Sequence, residues 1–263
     1  MELRSSPERG RSGRMNVRKQ VGVALLVLAA VAPRAFGADA GGECGVAPDP
    51  GRPQYIVGYG SLMQDVSREH TSPHAGPAHP VEIEGFKRGW FARGASVGFS
   101  TTFLGVLPDR QSRLNAVIYR VDAAELAATD RRERSYCRTR VPSEDVKALE
   151  RDAQSAPDGQ IWIYVNKPAS VARPDEKYPI VQSYVDVFLS GCLEQQERYG
   201  LTGFAAQCIA TTADWSAHWV NDRIYPRRPF VYQPRAGQID RLLSTQLPQF
   251  FARIRIEGGG RRQ

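Results

Sequence analysis

The sequence predicts an α+β chain, a small and mostly antiparallel sheet followed by helices, and three observations carry that expectation. Between Tyr55 and Val165 the apolar residues recur at period two in short segments rich in β-branched and aromatic side chains, as half-buried strands require. From Tyr178 onward the spacing changes to that of amphipathic helices. Strands are not interleaved one by one with helices, which a doubly wound parallel sheet would demand.

The chain opens with a polar, arginine-rich stretch, a second methionine at Met15, and the pair Arg18 and Lys19. An uncharged apolar run from Val21 to Ala32 follows, with small-residue cleavage patterns near Gly37 and Ala40. This layout predicts a signal peptide over residues 1–37 and export to the periplasm or medium. The run falls short of the roughly 20 apolar residues that span a bilayer, so no stable membrane span is expected after cleavage. The whole chain carries 35 basic and 28 acidic residues, a net charge of +7. The leader holds seven of the basic and two of the acidic residues, leaving 28 against 26, so no basic stripe points to nucleic acid. About 225 residues remain, enough for one sizeable domain. Four cysteines, Cys44, Cys137, Cys192 and Cys208, lie in the exported part, where disulfides form and three connectivities are open. Cys192 and Cys208, late in two consecutive helical patterns, are the favoured pair. If Cys137 pairs with Cys44, the N-terminal linker is tied close to the site described below.

Residues 38–53, rich in Gly, Pro and Ala, read as a linker. Tyr55 to Met63, Y-I-V-G-Y-G-S-L-M, is a buried strand that turns sharply into a loop at Gly58 and Gly60. Glycines there permit positive φ or close approach to a ligand. Successive unpaired N–H groups at such a turn suit a carboxylate or oxyanion, and the plain alternative is a hairpin end without a ligand. His70 to Pro80 holds three of the four histidines, but Pro73, Pro77 and Pro80 prevent an element that would aim the rings at one point. A mobile loop without metal is expected. Val81–Phe86, Gly89–Phe91, Thr101–Val106 and Leu114–Val121 read as further strands. Asp122-Ala123-Ala124-Glu125 has capping-box spacing and opens a short helix through Leu126 toward Asp130. Arg138–Val141 and Gln160–Val165 complete the strands.

Val181, Tyr184, Val185, Phe188 and Cys192 then fall on one helical face, with Pro179 at the start and Gly200 beyond the last turn. Further helices are expected over Gly203–Thr211, from Ala213-Asp214-Trp215, and over Gln238–Leu247. The domain expectation is therefore a core at 54–170, a helical extension packed on it at 171–256, and a disordered tail at 257–263.

The candidate chemistry lies in Glu133, a carboxylate among arginines in D-R-R-E-R-S-Y, immediately after the predicted helix. Alone, such a run reads as a solvated charge cluster. Other chemistries find no support: Tyr59 stands where a G-x-S-x-G elbow needs its first glycine, and neither a phosphate-binding loop nor a dinucleotide fingerprint is completed near Gly58. The order of motifs is more specific. Y-G-S-L at Tyr59–Leu62, then G-F-K-R-G-W at Gly85–Trp90, then N-A-V-I-Y-R-V leading through E-L-A-A-T-D into D-R-R-E-R-S-Y, resembles the γ-glutamylcyclotransferase family.

That resemblance, over roughly Gln54 to Lys167, implies a small β-barrel with flanking helices, a single catalytic carboxylate at Glu133, and no cofactor or metal. It implies release of 5-oxoproline from a small γ-glutamyl amino acid, amine or peptide. The α-amine of such a compound attacks its own side-chain carbonyl, so holding the chain folded supplies much of the rate. One carboxylate then serves as base and acid. Glu133 is expected to lie above its ordinary pKa of about 4.3 through burial, with Arg132 turned toward Asp130 or another carboxylate. The N–H groups of Gly60, Ser61 and Leu62 are expected to bind the substrate carboxylate or the oxyanion, with Tyr59 and Tyr136 as pocket walls; Tyr136 reads equally as core. The alternative is an exported binding module that holds an acidic γ-glutamyl-like molecule without turnover. A structural envelope protein using the late helices as its partner surface is a third.

Overall fold

A computed structural model describes residues 46–96, 99–150, 156–227 and 235–257. The predicted leader, the first part of the linker with Cys44, and residues 258–263 of the expected tail lie outside the described residues. In chain order the elements are β1 (Gln54–Gly58), α1 (Asp65–Glu69), β2 (His79–Ser96), β3 (Phe99–Val121), α2 (Ala123–Arg132), β4 (Tyr136–Val141), β5 (Val146–Ala148) and β6 (Gln160–Asn166). There follow β7 (Ile180–Val181), α3 (Gln182–Arg198), α4 (Phe204–Ala210), β8 (Thr212–Ala213), β9 (Trp219–Asn221), α5 (Ala236–Gln246), α6 (Pro248–Phe251) and β10 (Arg255–Ile256). The α+β expectation is met by a mixed sheet curled into a half-barrel and flanked by helices.

β1 is central, antiparallel to β3 and parallel to β6, in the order β4-β6-β1-β3-β2-β5, with β8 parallel to β2. The four strand segments expected between Val81 and Val121 merge into two long strands, because register shifts at Glu84/Phe86 and Trp90/Ala92 let the ladder run through the breaks. The sheet buries both faces by period two. Along β6, Ile161, Ile163 and Val165 join one core with Val57, Val81, Val106 and Ile118. Trp162 and Tyr164 point the other way, into a second core with Ile56, Trp90, Val117 and the helices. This explains why β6 reads Q-I-W-I-Y-V, apolar on both sides.

Local chemistry sets α2. Asp122 Oδ1 accepts from Glu125 N at 2.8 Å, and Glu125 Oε2 accepts from Asp122 N at 3.2 Å, the reciprocal capping box expected, a contribution of about 1 kcal/mol. Glu125 also accepts from His74 N at 2.8 Å, and Gly76 N donates to Arg120 O at 2.9 Å. The His70–Pro80 segment is therefore anchored by its backbone donors rather than the mobile loop expected, and His79 and Pro80 already belong to β2. The described end of the linker is likewise held: Gln160 N donates to Pro53 O at 2.8 Å.

The apolar face expected on α3 is buried: Val181, Tyr184, Val185, Phe188 and Cys192 are at most 6% exposed. Such side chains contribute about 1.5–3 kcal/mol each when buried. Cys192 and Cys208 form the favoured disulfide between α3 and α4, and Cys137 is disulfide-bonded as well. The helix expected from Ala213 does not form. Thr212 and Ala213 pair with Arg88 and Gly89, Asp214 takes φ 59°, and Trp215 stacks on Trp219, so tertiary packing overrides the local pattern. β7, β9 and β10 make a second, parallel sheet in the order β10-β9-β7. Glu257, expected to open a disordered tail, donates its N–H to Asn221 O at 3.0 Å and pairs with Arg227. Among the described residues no helix is long and apolar enough to cross a membrane.

Candidate functional site

β1 delivers the site loop. Past Gly58 the chain leaves the sheet at Tyr59 and closes a 3-10 turn over Ser61–Met63, with Met63 N donating to Gly60 O at 3.0 Å. Gly60 sits at φ −129°, and a Cβ there would lie 2.9 Å from the Tyr184 hydroxyl, so a side chain at 60 requires that hydroxyl to shift. The N–H groups of Gly60, Ser61 and Leu62 open this turn, and among the described residues they have no hydrogen-bond acceptor.

α2 delivers the carboxylate. Glu133 caps the C-terminus of α2, its N–H donating to Thr129 O at 2.8 Å, while its carbonyl accepts from Tyr136 N at 2.8 Å. One tight turn thereby fixes Glu133 and Tyr136 together, and the Glu133 side chain is only 16% exposed. Arg132 departs from expectation. Its Nε lies 3.2 Å from Glu133 Oε1, and the rest of the guanidinium donates to Ser67 O at 2.8 Å, Thr71 Oγ1 at 2.7 Å and Ser61 Oγ at 3.0 Å. Asp130, the partner expected for it, is taken by Arg138 at 2.6 Å and by the Tyr164 hydroxyl at 2.7 Å. The reason is reach: Arg132 meets α1 and the site loop, whereas β4 and β6 bring Arg138 and Tyr164 to Asp130.

Two adjoining cavities meet at Ser61, Glu133, Tyr136 and Tyr184. The inner one, about 30 Å³, is walled by Tyr59, Gly60, Leu62, Leu104 and Tyr164. The outer one, about 330 Å³, opens past Arg93, Phe103, Arg134, Asn166 and Ser170. A larger cavity of about 610 Å³ lies near Pro48–Gln54 and the start of α2, but its Asp130 and Arg138 are spent on each other. All six residues named from the sequence therefore line one junction. Tyr59 donates to Tyr164 O at 2.6 Å; burial, then the neighbouring Tyr136 and Glu133, hold its pKa well above the ordinary tyrosine value, so it stays protonated. Tyr136 donates to Leu104 O at 3.2 Å.

Sequence reasoning missed three participants. Tyr184, from α3, reads as an ordinary core position and enters the junction with its ring edge-on to Phe103 at 4.9 Å. Gly191 on the same helix lets α3 lie against the loop, since a Cβ there would sit 2.4 Å from Gln64 N. Arg88, within the G-F-K-R-G-W motif, is fully buried. It donates to Tyr59 O at 3.1 Å, Asn115 Oδ1 at 3.0 Å, Cys208 O at 2.8 Å and Thr212 Oγ1 at 2.8 Å, tying the site strand to the end of α4. Burial lowers its pKa to about 9, which leaves it charged at neutral pH.

No protein-family model matches the sequence, and no curated protein matches it. Solved structures with a similar fold include a γ-glutamyl cyclotransferase, 13% identical over 72% of this chain and 99% of that one, with a TM-score of 0.47. An uncharacterized protein from Homo sapiens is 14% identical over 63% of this chain and 92% of that one, TM-score 0.46. A γ-glutamyl cyclotransferase specific to glutathione, from yeast, is 11% identical over 60% and 97%, TM-score 0.37.

Proposed function

We propose that this protein is an exported, cofactor-independent cyclotransferase that releases 5-oxoproline from a γ-glutamyl amino acid, amine or peptide, with Glu133 as acid and base. The observation that carries this reading is a largely buried carboxylate opening on the same cavity junction as the N–H groups of Gly60, Ser61 and Leu62, which lack acceptors among the described residues. The α-ammonium of the substrate gives a proton to Glu133, and the freed amine attacks the side-chain carbonyl. The bond to the leaving nitrogen breaks as Glu133 returns the proton to it, and the ring nitrogen sheds its second proton to the departing amine, so no oxidant or second substrate is consumed. Arg132, which bonds Ser61 Oγ and lies beside Glu133, holds the carboxylate next to the site loop. The free N–H groups suit the oxyanion or the substrate α-carboxylate, a donor set worth about 3–4 kcal/mol in transition-state stabilisation. In this reading residues 54–170 carry the reacting groups, and the helices of 171–256 add Tyr184 as a wall.

The same Arg132–Glu133 contact favours a second reading, a binding module in which the carboxylate is held rather than used. Both are tested by assaying 5-oxoproline release by residues 38–263 from γ-glutamyl amino acids, γ-glutamyl amines and glutathione. Loss of about a hundredfold or more in Glu133→Gln, with the ligand-induced thermal shift retained, is the expected outcome. A thermal shift with no release from any compound leaves the binding module standing.

A further inference from the structure

Arg88 is a cation placed where a purely structural tie has no use for charge. It is fully buried, and among the described residues every acceptor of its guanidinium is neutral. Nε donates to Thr212 Oγ1 at 2.8 Å, and one terminal nitrogen donates to Tyr59 O at 3.1 Å and Asn115 O at 2.8 Å. The other donates to Asn115 Oδ1 at 3.0 Å, Cys208 O at 2.8 Å and Thr211 Oγ1 at 2.8 Å. Burying a charge without a counter-ion is costly, and a neutral amide would hold carbonyls without that cost. One of these bonds leads to the site. Tyr59 O and the Gly60 N–H sit on opposite edges of one planar trans peptide, so fixing the oxygen on Arg88 turns the N–H to the other side. Tyr59 and Gly60 wall the inner cavity, whereas Arg88 stands behind them and lines neither cavity of the junction. A carbonyl bonded to a cation polarises its peptide and makes the attached N–H a stronger donor.

We propose that Arg88 is a positioning residue for the reaction: it aims and polarises the Tyr59–Gly60 peptide so that the Gly60 N–H binds the side-chain carbonyl oxygen of the substrate as negative charge develops there. The proposal rests on the cyclotransferase reading and adds to it a residue outside the cavity walls. A donor held rigid from behind needs no reorganisation when the charge appears, so its effect falls on the transition state rather than on ground-state binding. The substrate α-carboxylate is charged throughout and would gain from the same N–H equally in both states, so the two assignments separate in kcat and KM.

The test replaces the carbonyl oxygen. γ-Glutamyl-alanine, γ-glutamyl-ethylamine and glutathione are each assayed against the analogue with sulfur in place of the γ-carbonyl oxygen, because sulfur is the weaker hydrogen-bond acceptor. Wild type is expected to prefer oxygen over sulfur by about tenfold or more beyond the preference of uncatalysed cyclisation. Arg88→Met, checked by circular dichroism for intact folding, should lower kcat for the oxygen compound by about tenfold or more, leave KM little changed, and shrink the oxygen-to-sulfur ratio several-fold. Arg88→Lys keeps a charge but has no fork to reach Tyr59 O and Asn115 together, and should fall between the two. Thr212→Val cuts only the Nε bond at the far end of the guanidinium, so it should lower the urea midpoint and keep the wild-type ratio. A ratio unchanged in Arg88→Met, or shrunk as much by Thr212→Val, overturns the proposal and leaves the cyclotransferase standing. A wild-type ratio no larger than that of uncatalysed cyclisation overturns it without any variant, whether or not Arg88→Met folds. Turnover of none of the three oxygen compounds overturns the cyclotransferase reading, and the proposal falls with it.

Discussion

Two arginines divide the work of holding the site. Arg88 works from behind, its charge buried among carbonyl and hydroxyl acceptors that fix the Tyr59 carbonyl to α4. Arg132 works from the front, and its planar fork spans Ser61, Thr71 and Glu133 in one geometry. A lysine at 132 keeps the charge beside Glu133 but offers a single compact ammonium in place of the fork. If bridging is what matters, Arg132→Lys and Arg132→Gln both lower kcat/KM by about tenfold or more, each removing charge-assisted bonds worth about 1.5–3 kcal/mol. Steady-state kinetics with the two variants side by side makes the check. Full rescue by lysine would show that charge alone suffices and that the bridge is incidental.

At the scale of elements, the site loop is pinned between α1 and α3. Asp65 opens α1 and pairs with Arg68 at 2.7 Å and with Arg198 of α3, while Glu194 of α3 accepts from Asp65 N at 3.0 Å. Burial alone would raise the pKa of Asp65, but the hydrogen bonds from Arg198 and Arg68 outweigh it and the folded value lies below the ordinary one. Glu194 is raised, chiefly by burial. A carboxylate depressed in the folded state adds stability that is present above its unfolded pKa, about 3.9, and is lost as pH falls through the folded value. Asp65→Asn should therefore cost about 1–3 kcal/mol in urea unfolding at pH 7, with the gap to wild type closing toward pH 2. An equal cost at both pH values would assign the loss to packing. Elements built by local chemistry were legible beforehand: the Asp122 capping box, the face of α3, the pairing of Cys192 with Cys208. β8 and β9 were not, because Thr212–Ala213 pairs with β2 more than a hundred residues away and Asp214 turns the chain at a positive φ that an aspartate tolerates but does not by itself announce. The site followed the same division. Glu133 and the Gly60–Leu62 turn each sit in a contiguous motif, whereas Tyr184 reaches the junction only through the docking of α3, and nothing local tells a buried Arg88 from a surface one.

The molecule as a whole is joined by the core that lies outside the half-barrel. Ile56, Trp90 and Val117 of the sheet pack in one cluster with Phe188 and Leu189 of α3, Phe204 of α4, and Ile239 and Leu243 of α5. A boundary at residue 170, natural in the sequence, therefore cuts through a continuous apolar interior and removes both Tyr184 and the Gly191 contact from the site loop. Residues 39–170 expressed alone should expose that sheet face and be insoluble or lack a cooperative transition, since a patch of this kind is an association surface. Residues 39–263 should unfold in urea as one unit. The four tryptophans make the test sharp: Trp90, Trp162 and Trp219 are buried in this cluster and Trp215 packs against it, so their fluorescence reports the joint itself. Fluorescence and far-UV circular dichroism should then give coincident midpoints. A fluorescence transition that precedes the loss of strand signal would instead mean that the helices detach first and that the half-barrel stands without them.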